Sequence, residues 1–113
     1  MLSLLLAPLV ALSGLPVTPY PSDMQKAELC RAHVMLLIAD AYKEAGRVAG
    51  PSWFIRDWWS DRLTDEQLKT ERTQAVEAAV SRRRTEAPAR FDEERTACIQ
   101  EAIQAGAVPG MTP

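Results

Sequence analysis

Charge is missing from the first 22 residues, and an excess of either sign is missing from the chain as a whole. The 113 residues include 13 Lys and Arg against 15 Asp and Glu, a formal net charge of −2. Nucleic-acid binders normally carry a basic excess, so this balance argues against a nucleic-acid partner. The chain has one His, two Cys and no Gly-rich phosphate loop. No apolar run reaches the ~20 residues that a membrane span needs.

The uncharged start of the chain is typical of an export signal. Residues 2–12 are almost wholly apolar, and Ala11 and Ser13 place small side chains at the −3 and −1 positions of a cleavage site. The alternative is an apolar arm that packs on the body. Three prolines between positions 16 and 21 fix φ and lack a donor, which favours an extended linker.

These features divide the chain into three parts. Residues 1–21 are expected to be a signal peptide or apolar arm plus a proline-rich linker, 22–106 a single helical domain, and 107–113 a flexible tail. Cleavage is expected to leave a mature N-terminus between Gly14 and Ser22 and no stable membrane span. The predicted location is therefore periplasmic or secreted.

The two cysteines lie near opposite ends of the body. In an oxidising compartment Cys30 and Cys98 are expected to form one disulfide, which closes a loop with a sequence separation of 68. The alternative is two buried free thiols, since Cys packs well as a small apolar residue.

Capping and apolar spacing predict the first helix. Ser22 with Gln25 forms a capping-box pattern at its start, and Gly46 predicts its end. Residues 34–39 are continuously apolar, so this helix is expected to be the central element, contacted on more than one side.

The remaining elements are also helical. A Gly-Pro pair at 50–51 opens a short helix that ends near residues 61–63. A capping-box pattern at 64–67 predicts a long helix to about Thr85, and Pro88 begins the last one. No segment alternates with period two for long enough to form a strand. The predicted class is an all-α antiparallel bundle of three main helices and one short helix, with the first and last joined by the disulfide.

One basic cluster occurs in the chain. It consists of residues 82–84 with Arg90, near the end of the long helix. Cations favour the negative end of a helix dipole, and acidic residues follow close by. We interpret the cluster as structural rather than as an anion, lipid-headgroup or nucleic-acid contact.

No catalytic, cofactor-binding or metal-binding residue is predicted, because the usual nucleophile–base and metal signatures are missing. The rival hypothesis is a metal-binding or enzymatic module built on Cys30, His33 and Cys98. Cys30 and His33 are three apart, on one helical face, but a zinc site normally has four ligands. A disulfide would also remove both sulfurs.

Aromatic residues are concentrated in the short helix. Trp53, Phe54, Trp58 and Trp59 are four of the seven aromatics of the chain. Successive side chains on a helix diverge by about 100°, so one short helix can hardly bury all four. The alternative is that they are simply core. We expect Trp58 and Trp59 to differ, one buried and one exposed, and part of the segment to contact another protein or a second copy.

Two parts of the sequence resemble known protein families. Residues 38–46, Ile-Ala-Asp-Ala-Tyr-Lys-Glu-Ala-Gly, look like the end of the first helix of a tetratricopeptide repeat. No second copy follows, so we treat this likeness as local. The body from Cys30 to Cys98 resembles, in its layout, the small exported two-cysteine helical proteins of proteobacteria. That resemblance implies location and fold but no function, and we expect action by protein contact in the cell envelope.

Overall fold

The computed structural model describes residues 17–111. The helices are α1 (Lys26–Ala45), α2 (Gly50–Ser60), α3 (Thr70–Glu86) and α4 (Pro88–Gln104). No strand occurs between residues 17 and 111, and the all-α prediction of three long helices and one short helix is confirmed. The predicted signal sequence and its cleavage motif in residues 1–16 lie outside the described residues, as do 112–113.

The start of α1 lies three residues later than predicted. Gln25, rather than Ser22, is the N-cap, and its backbone N–H donates to Oε2 of Glu28 at 2.9 Å. Ser22 belongs instead to a turn closed by a bond of 3.0 Å from the Met24 N–H to the Pro21 carbonyl. Ser22 and Gln25 match the capping-box pattern, but Ser22 is part of the turn that begins at Pro21, and the helix starts only after that turn.

The end of α1 and the start of α2 agree with the prediction. Gly46 adopts the left-handed conformation at φ 69°, and its N–H donates to the Tyr42 carbonyl at 2.8 Å. Glycine adopts this conformation without the steric cost that a Cβ brings. After a short connection α2 begins with Pro51 in its first turn, and it ends at Ser60, one residue before the predicted range.

The capping pattern at 64–67 forms but does not start α3. The Thr64 N–H donates to Oε1 of Gln67 at 2.9 Å, and the Gln67 N–H donates to Oγ1 of Thr64 at 3.3 Å. These bonds close a separate turn, because Lys69 has an extended ψ of 139° that interrupts the helical backbone. The predicted start of the long helix is therefore wrong by several residues, and α3 begins at Thr70. Pro88 begins α4 as predicted.

The central helix α1 separates two cores. The disulfide core lies between α1, α2 and α4, and the second core lies between α1, α3 and α4. This explains the continuous apolar run in α1, and contact on more than one side is confirmed. The buried members of the disulfide core are Cys30, Val34, Ile38, Ile55, Trp59, Cys98, Ala102 and Val108. Those of the second core are Ala32, Val76, Val80 and Phe91.

Long-range pairs give the helix directions. Arg72 bonds Glu28 and Arg84 bonds Asp40, each pair 44 residues apart, so α1 and α3 run parallel. The Cys30–Cys98 bond and the pairing of Lys26 with Glu101 make α1 and α4 antiparallel. The short helix α2 contacts α1 and α4 but not α3.

One residue on each side of the predicted helical domain packs against a core. Val108, in the predicted tail, is buried in the disulfide core. Tyr20, in the predicted linker, is half-buried and packs against the second core. Local sequence signals do not reveal such long-range contacts.

Candidate functional site

The short helix α2 is held on the body by one side. Ile55 and Trp59 point inward, and Trp59 is only 1% exposed. The indole N–H of Trp59 donates to the carbonyl oxygen of Cys98 at 3.2 Å, next to the disulfide. This bond satisfies the one polar atom of the buried indole and ties α2 to α4. Trp59 therefore belongs to the core and not to the predicted interaction surface.

The opposite side of α2 presents aromatic rings to solvent. Trp53 is 40% exposed and Phe54 is 48% exposed. On a helix, Trp53 lies about 160° from Ile55, because successive residues advance by about 100°. We call Trp53 and Phe54 the aromatic face of α2.

Arginines stack on Trp53 of this face and on Trp58, which lies beside it. The guanidinium carbon of Arg56 lies 4.8 Å from the centre of the Trp53 ring, and Arg56 also bonds Asp57 at 2.7 and 2.9 Å. The guanidinium carbon of Arg62 lies 3.2 Å from the centre of the Trp58 ring. Arg62 also donates to the Trp58 carbonyl. Such cation–π contacts fix the rings and surround them with polar groups.

Trp58 and Trp59 differ in burial, but less sharply than predicted. Trp59 is buried, whereas Trp58 is half-buried and packs edge-on against it with ring centres 4.7 Å apart. The most exposed rings are those of Trp53 and Phe54, one turn earlier. The reason is that Trp58 flanks the inward side of α2, where the disulfide core and Arg62 cover much of its ring.

The predicted disulfide is present. Sγ of Cys30 and Sγ of Cys98 are bonded, and the two Cα atoms lie 5.2 Å apart, within the range that a disulfide requires. The bond joins α1 to α4 and uses both sulfurs that the metal hypothesis needs. Among residues 17–111, no group of three or more His, Cys, Asp or Glu residues is arranged to hold a metal ion.

A buried polar cluster that the sequence did not predict lies between α1, α3 and α4. His33 of α1 is fully buried in it. Its Nε2 lies 3.2 Å from Oε1 of Glu94, which also accepts a bond of 2.6 Å from the Tyr20 hydroxyl. The other oxygen of Glu94 accepts a bond of 3.2 Å from Arg83. Three donors on one carboxylate form a charge-assisted network.

The surroundings of this cluster disfavour a charged imidazole. Burial lowers the pKa of His33, and the carboxylate of Glu94 opposes that shift only in part. In the part of the chain that the structure describes, Nδ1 of His33 has no hydrogen-bond partner. Burial and the bond to Glu94 raise the pKa of Tyr20, so its hydroxyl remains a donor throughout the neutral range.

The basic cluster of the sequence is divided between paired and exposed side chains: Arg82 and Arg90 are exposed, whereas Arg83 and Arg84 pair with acidic residues of other helices. Arg83 is buried against Glu94, and Arg84 forms a two-point pair with Asp40 at 2.7 and 3.3 Å. Arg83 thus joins α3 to α4, and Arg84 joins α3 to α1. For these two cations the contacts agree with the structural interpretation of the cluster.

A second buried ion pair joins α1 to α3. Glu28 is almost fully buried, and its carboxylate accepts bonds from Arg72 at 2.7 and 3.0 Å. The bonds from Arg72 hold the pKa of Glu28 below its ordinary value. The groove beside Arg72 is lined mainly by paired acidic and basic side chains, Glu66 with Lys69 at 3.0 Å among them. We assign it no chemistry.

No helix within residues 17–111 is long and apolar enough to cross a membrane. Comparisons of the chain with protein-family models, with curated proteins and with solved structures find no match.

Proposed function

We propose that this is an exported helical protein that acts by binding another protein through the aromatic face of α2. The observation that carries the proposal is the exposure of Trp53 and Phe54 on a helix whose other side is fixed by Trp59. Exposed aromatic rings surrounded by polar groups are favoured centres of protein interfaces. A periplasmic or secreted location is part of the proposal.

Two features support the export step. The Cys30–Cys98 disulfide is of a kind that persists in oxidising compartments and is rare in the cytosol. The first 22 residues carry no charged side chain and include an apolar segment ahead of a small-residue cleavage pattern.

The two exposed rings can supply only the centre of an interface. At 40% and 48% exposure, Trp53 and Phe54 leave roughly 100 Å² of open surface each, on the scale of 150–250 Å² for an aromatic side chain. A stable interface needs about 800 Å² from each partner. The polar residues around the rings must therefore take part in the contact as its rim.

Charge also favours a protein over a lipid surface. Binding to anionic membranes normally combines apolar rings with a cluster of cations. Here the net charge is −2 and Arg56, the cation beside Trp53, is paired with Asp57. This mixed pair forms a neutral polar rim around the ring.

The fixed position of α2 is expected to increase affinity. The N–H of Trp59 bonds the Cys98 carbonyl, and the neighbouring disulfide holds α4 to α1. The exposed rings are thus presented on a helix that needs little ordering when a partner binds, which lowers the entropic cost of association.

Site-specific photo-cross-linking in the native host tests the proposed interface. A benzophenone amino acid replaces Trp53 or Phe54 in one set of variants and Leu68 in the control. Leu68 is matched because it is an exposed apolar residue of nearly equal exposure, 38%, outside α2. We expect one discrete protein adduct from positions 53 and 54 and none from position 68. An adduct with a second copy, an adduct with lipid only, or equal yields at all three positions contradicts the proposal.

N-terminal sequencing of the protein from its native host tests the export step. We expect a start between Gly14 and Ser22, and a start before Thr18 would retain the contact of Thr18 with Glu86. An intact Met1 on the folded protein would contradict export while leaving the interface to be judged by cross-linking.

A further inference from the structure

Residues 18–20 cross the surface of the bundle as a strap. The backbone N–H and the hydroxyl of Thr18 donate to the two carboxylate oxygens of Glu86 at 3.1 and 2.7 Å. Two residues later, the Tyr20 hydroxyl donates to Glu94, and the guanidinium carbon of Arg83 lies 4.0 Å from the centre of the Tyr20 ring. The strap thus contacts the end of α3 and the first half of α4.

His33 lies directly behind this strap. Nε2 of His33 and the hydroxyl of Tyr20 meet at the same oxygen, Oε1 of Glu94, at 3.2 and 2.6 Å. The imidazole also packs against Phe91 with ring centres 4.7 Å apart, and Tyr20 packs against the core that contains Phe91. Tyr20 therefore covers the side of the second core on which the imidazole contacts Glu94.

A proton on His33 fits poorly while the strap is closed. The neutral ring with hydrogen on Nε2 donates to Glu94 and leaves only an acceptor, Nδ1, without a partner among residues 17–111. A charged ring adds a buried N–H donor at Nδ1, for which none of these residues supplies an acceptor, and this is costly. The charged groups that act on the ring are Glu94 and Arg95 of α4 and Arg84 of α3. Arg83 of α3 pairs with Glu94, and Asp40 of α1 pairs with Arg84 and Arg95.

We propose that the strap is an acid-released latch, in which proton binding by His33 favours the state with residues 18–20 detached from the bundle. Detachment admits water to the imidazole, and a hydrated imidazole binds a proton readily near pH 6.5. Because the open state binds the proton more tightly, acid shifts the equilibrium towards it. With no protonation in the closed state, the ratio of open to closed strap rises about tenfold from about pH 7.5 to 5.5. The latch does not rest on the proposed function of α2, and it requires a mature chain that begins before Thr18 and so keeps residues 18–20.

The reciprocal effect supplies the test, because anything that opens the strap must raise the proton affinity of His33. His33 is the single histidine of the chain, so its ring C–H signals in an NMR pH titration have one assignment. Tyr20→Ala removes the cover, Tyr20→Phe removes only the hydroxyl, and Tyr42→Ala is the matched control at an exposed tyrosine of α1. Far-UV circular dichroism establishes that each variant is folded over the pH range used.

We expect Tyr20→Ala to raise the midpoint of the His33 titration by about one pH unit, a tenfold gain in proton affinity. Tyr20→Phe should raise it by clearly less, and Tyr42→Ala should leave it unchanged. Equal midpoints in the wild type and Tyr20→Ala would overturn the proposal. So would equal shifts in Tyr20→Ala and Tyr20→Phe, since the effect would then act through Glu94 alone.

A second measurement reads the strap itself and remains usable if Tyr20→Ala does not fold. The protection factor of the Thr18 amide, its exchange rate corrected for the intrinsic effect of pH, reports opening of the strap. It should fall about tenfold between about pH 7.5 and 5.5 in the wild type and stay constant in His33→Gln. A constant factor in the wild type, or the same fall in His33→Gln, contradicts the latch.

Discussion

Replacing Trp59 and Trp53 separately distinguishes the buried side of α2 from its exposed side. Trp59 is 1% exposed and bonds the Cys98 carbonyl, whereas Trp53 is 40% exposed and contacts Arg56. Truncating a buried Trp to Ala costs about 3–5 kcal/mol of unfolding free energy. Loss of the hydrogen bond to the Cys98 carbonyl adds about 1 kcal/mol. Truncating Trp53 is expected to cost less than about 1 kcal/mol, because much of its ring is already in water.

The free energy of unfolding, measured by urea titration under oxidising conditions, is the appropriate assay. Far-UV circular dichroism should follow the transition, because each substitution changes the tryptophan fluorescence. A domain of this size is stable by about 5–10 kcal/mol in total, so Trp59→Ala is expected to remove much of its free energy of unfolding. Trp59→Phe supplies a milder variant, with an expected cost of about 1–2 kcal/mol.

The comparison has a clear refuting outcome. If Trp53→Ala and Trp59→Ala lower the free energy of unfolding equally, both rings belong to the core, and the proposal that Trp53 is exposed for binding is wrong. If neither lowers it, the description of α2 as fixed by Trp59 is wrong. A difference of at least about 2 kcal/mol, with Trp59→Ala the costlier, is the result the structure predicts.

Three further predictions concern the clasp and the buried charges. Reduction of the Cys30–Cys98 disulfide should lower the free energy of unfolding by about 4 kcal/mol, given the sequence separation of 68, and an unchanged Tm on reduction would refute this. Glu28→Gln should cost about 2 kcal/mol near neutral pH, because the buried pair with Arg72 is lost, and a cost near zero in urea titration would refute it. Arg72 keeps the pKa of Glu28 low, so this contribution is present above its ordinary pKa and disappears as acid protonates the folded chain. Burial lowers the pKa of His33, so the unfolded chain binds the proton more tightly and stability should fall as pH drops below about 6.5. His33→Gln should remove that slope, and an unaltered slope would assign it to another group.

The predictable parts of the fold are those determined by local backbone chemistry. Gly46 ends α1 because a left-handed residue closes a helix, and Pro88 begins α4 because proline fits a first turn. The disulfide was predictable because only two cysteines are present, one near each end of the body. The start of α1 was not, since the Pro21 turn competes with the capping pattern at Ser22.

The buried polar groups were not predictable from the sequence alone. His33 and Glu94 are 61 residues apart, and Tyr20 and Glu94 are 74 apart, so nothing local marks them as partners. Glu28 points about 160° away from Cys30, towards α3, so the apolar side of α1 that carries the cysteine does not mark it for burial. The partner Arg72 becomes apparent only when α3 is seen to run parallel to α1.

The affinity of the purified cross-linking partner for Trp53→Ala, beside Leu68→Ala, tests the central claim most directly. Isothermal titration with the wild type and both variants gives three values of Kd under identical conditions. We expect Trp53→Ala to weaken binding by at least about 30-fold, the equivalent of 2 kcal/mol at an interface centre, and Leu68→Ala to change it by less than about threefold. Equal affinities for all three proteins would contradict the claim that the aromatic face of α2 binds the partner.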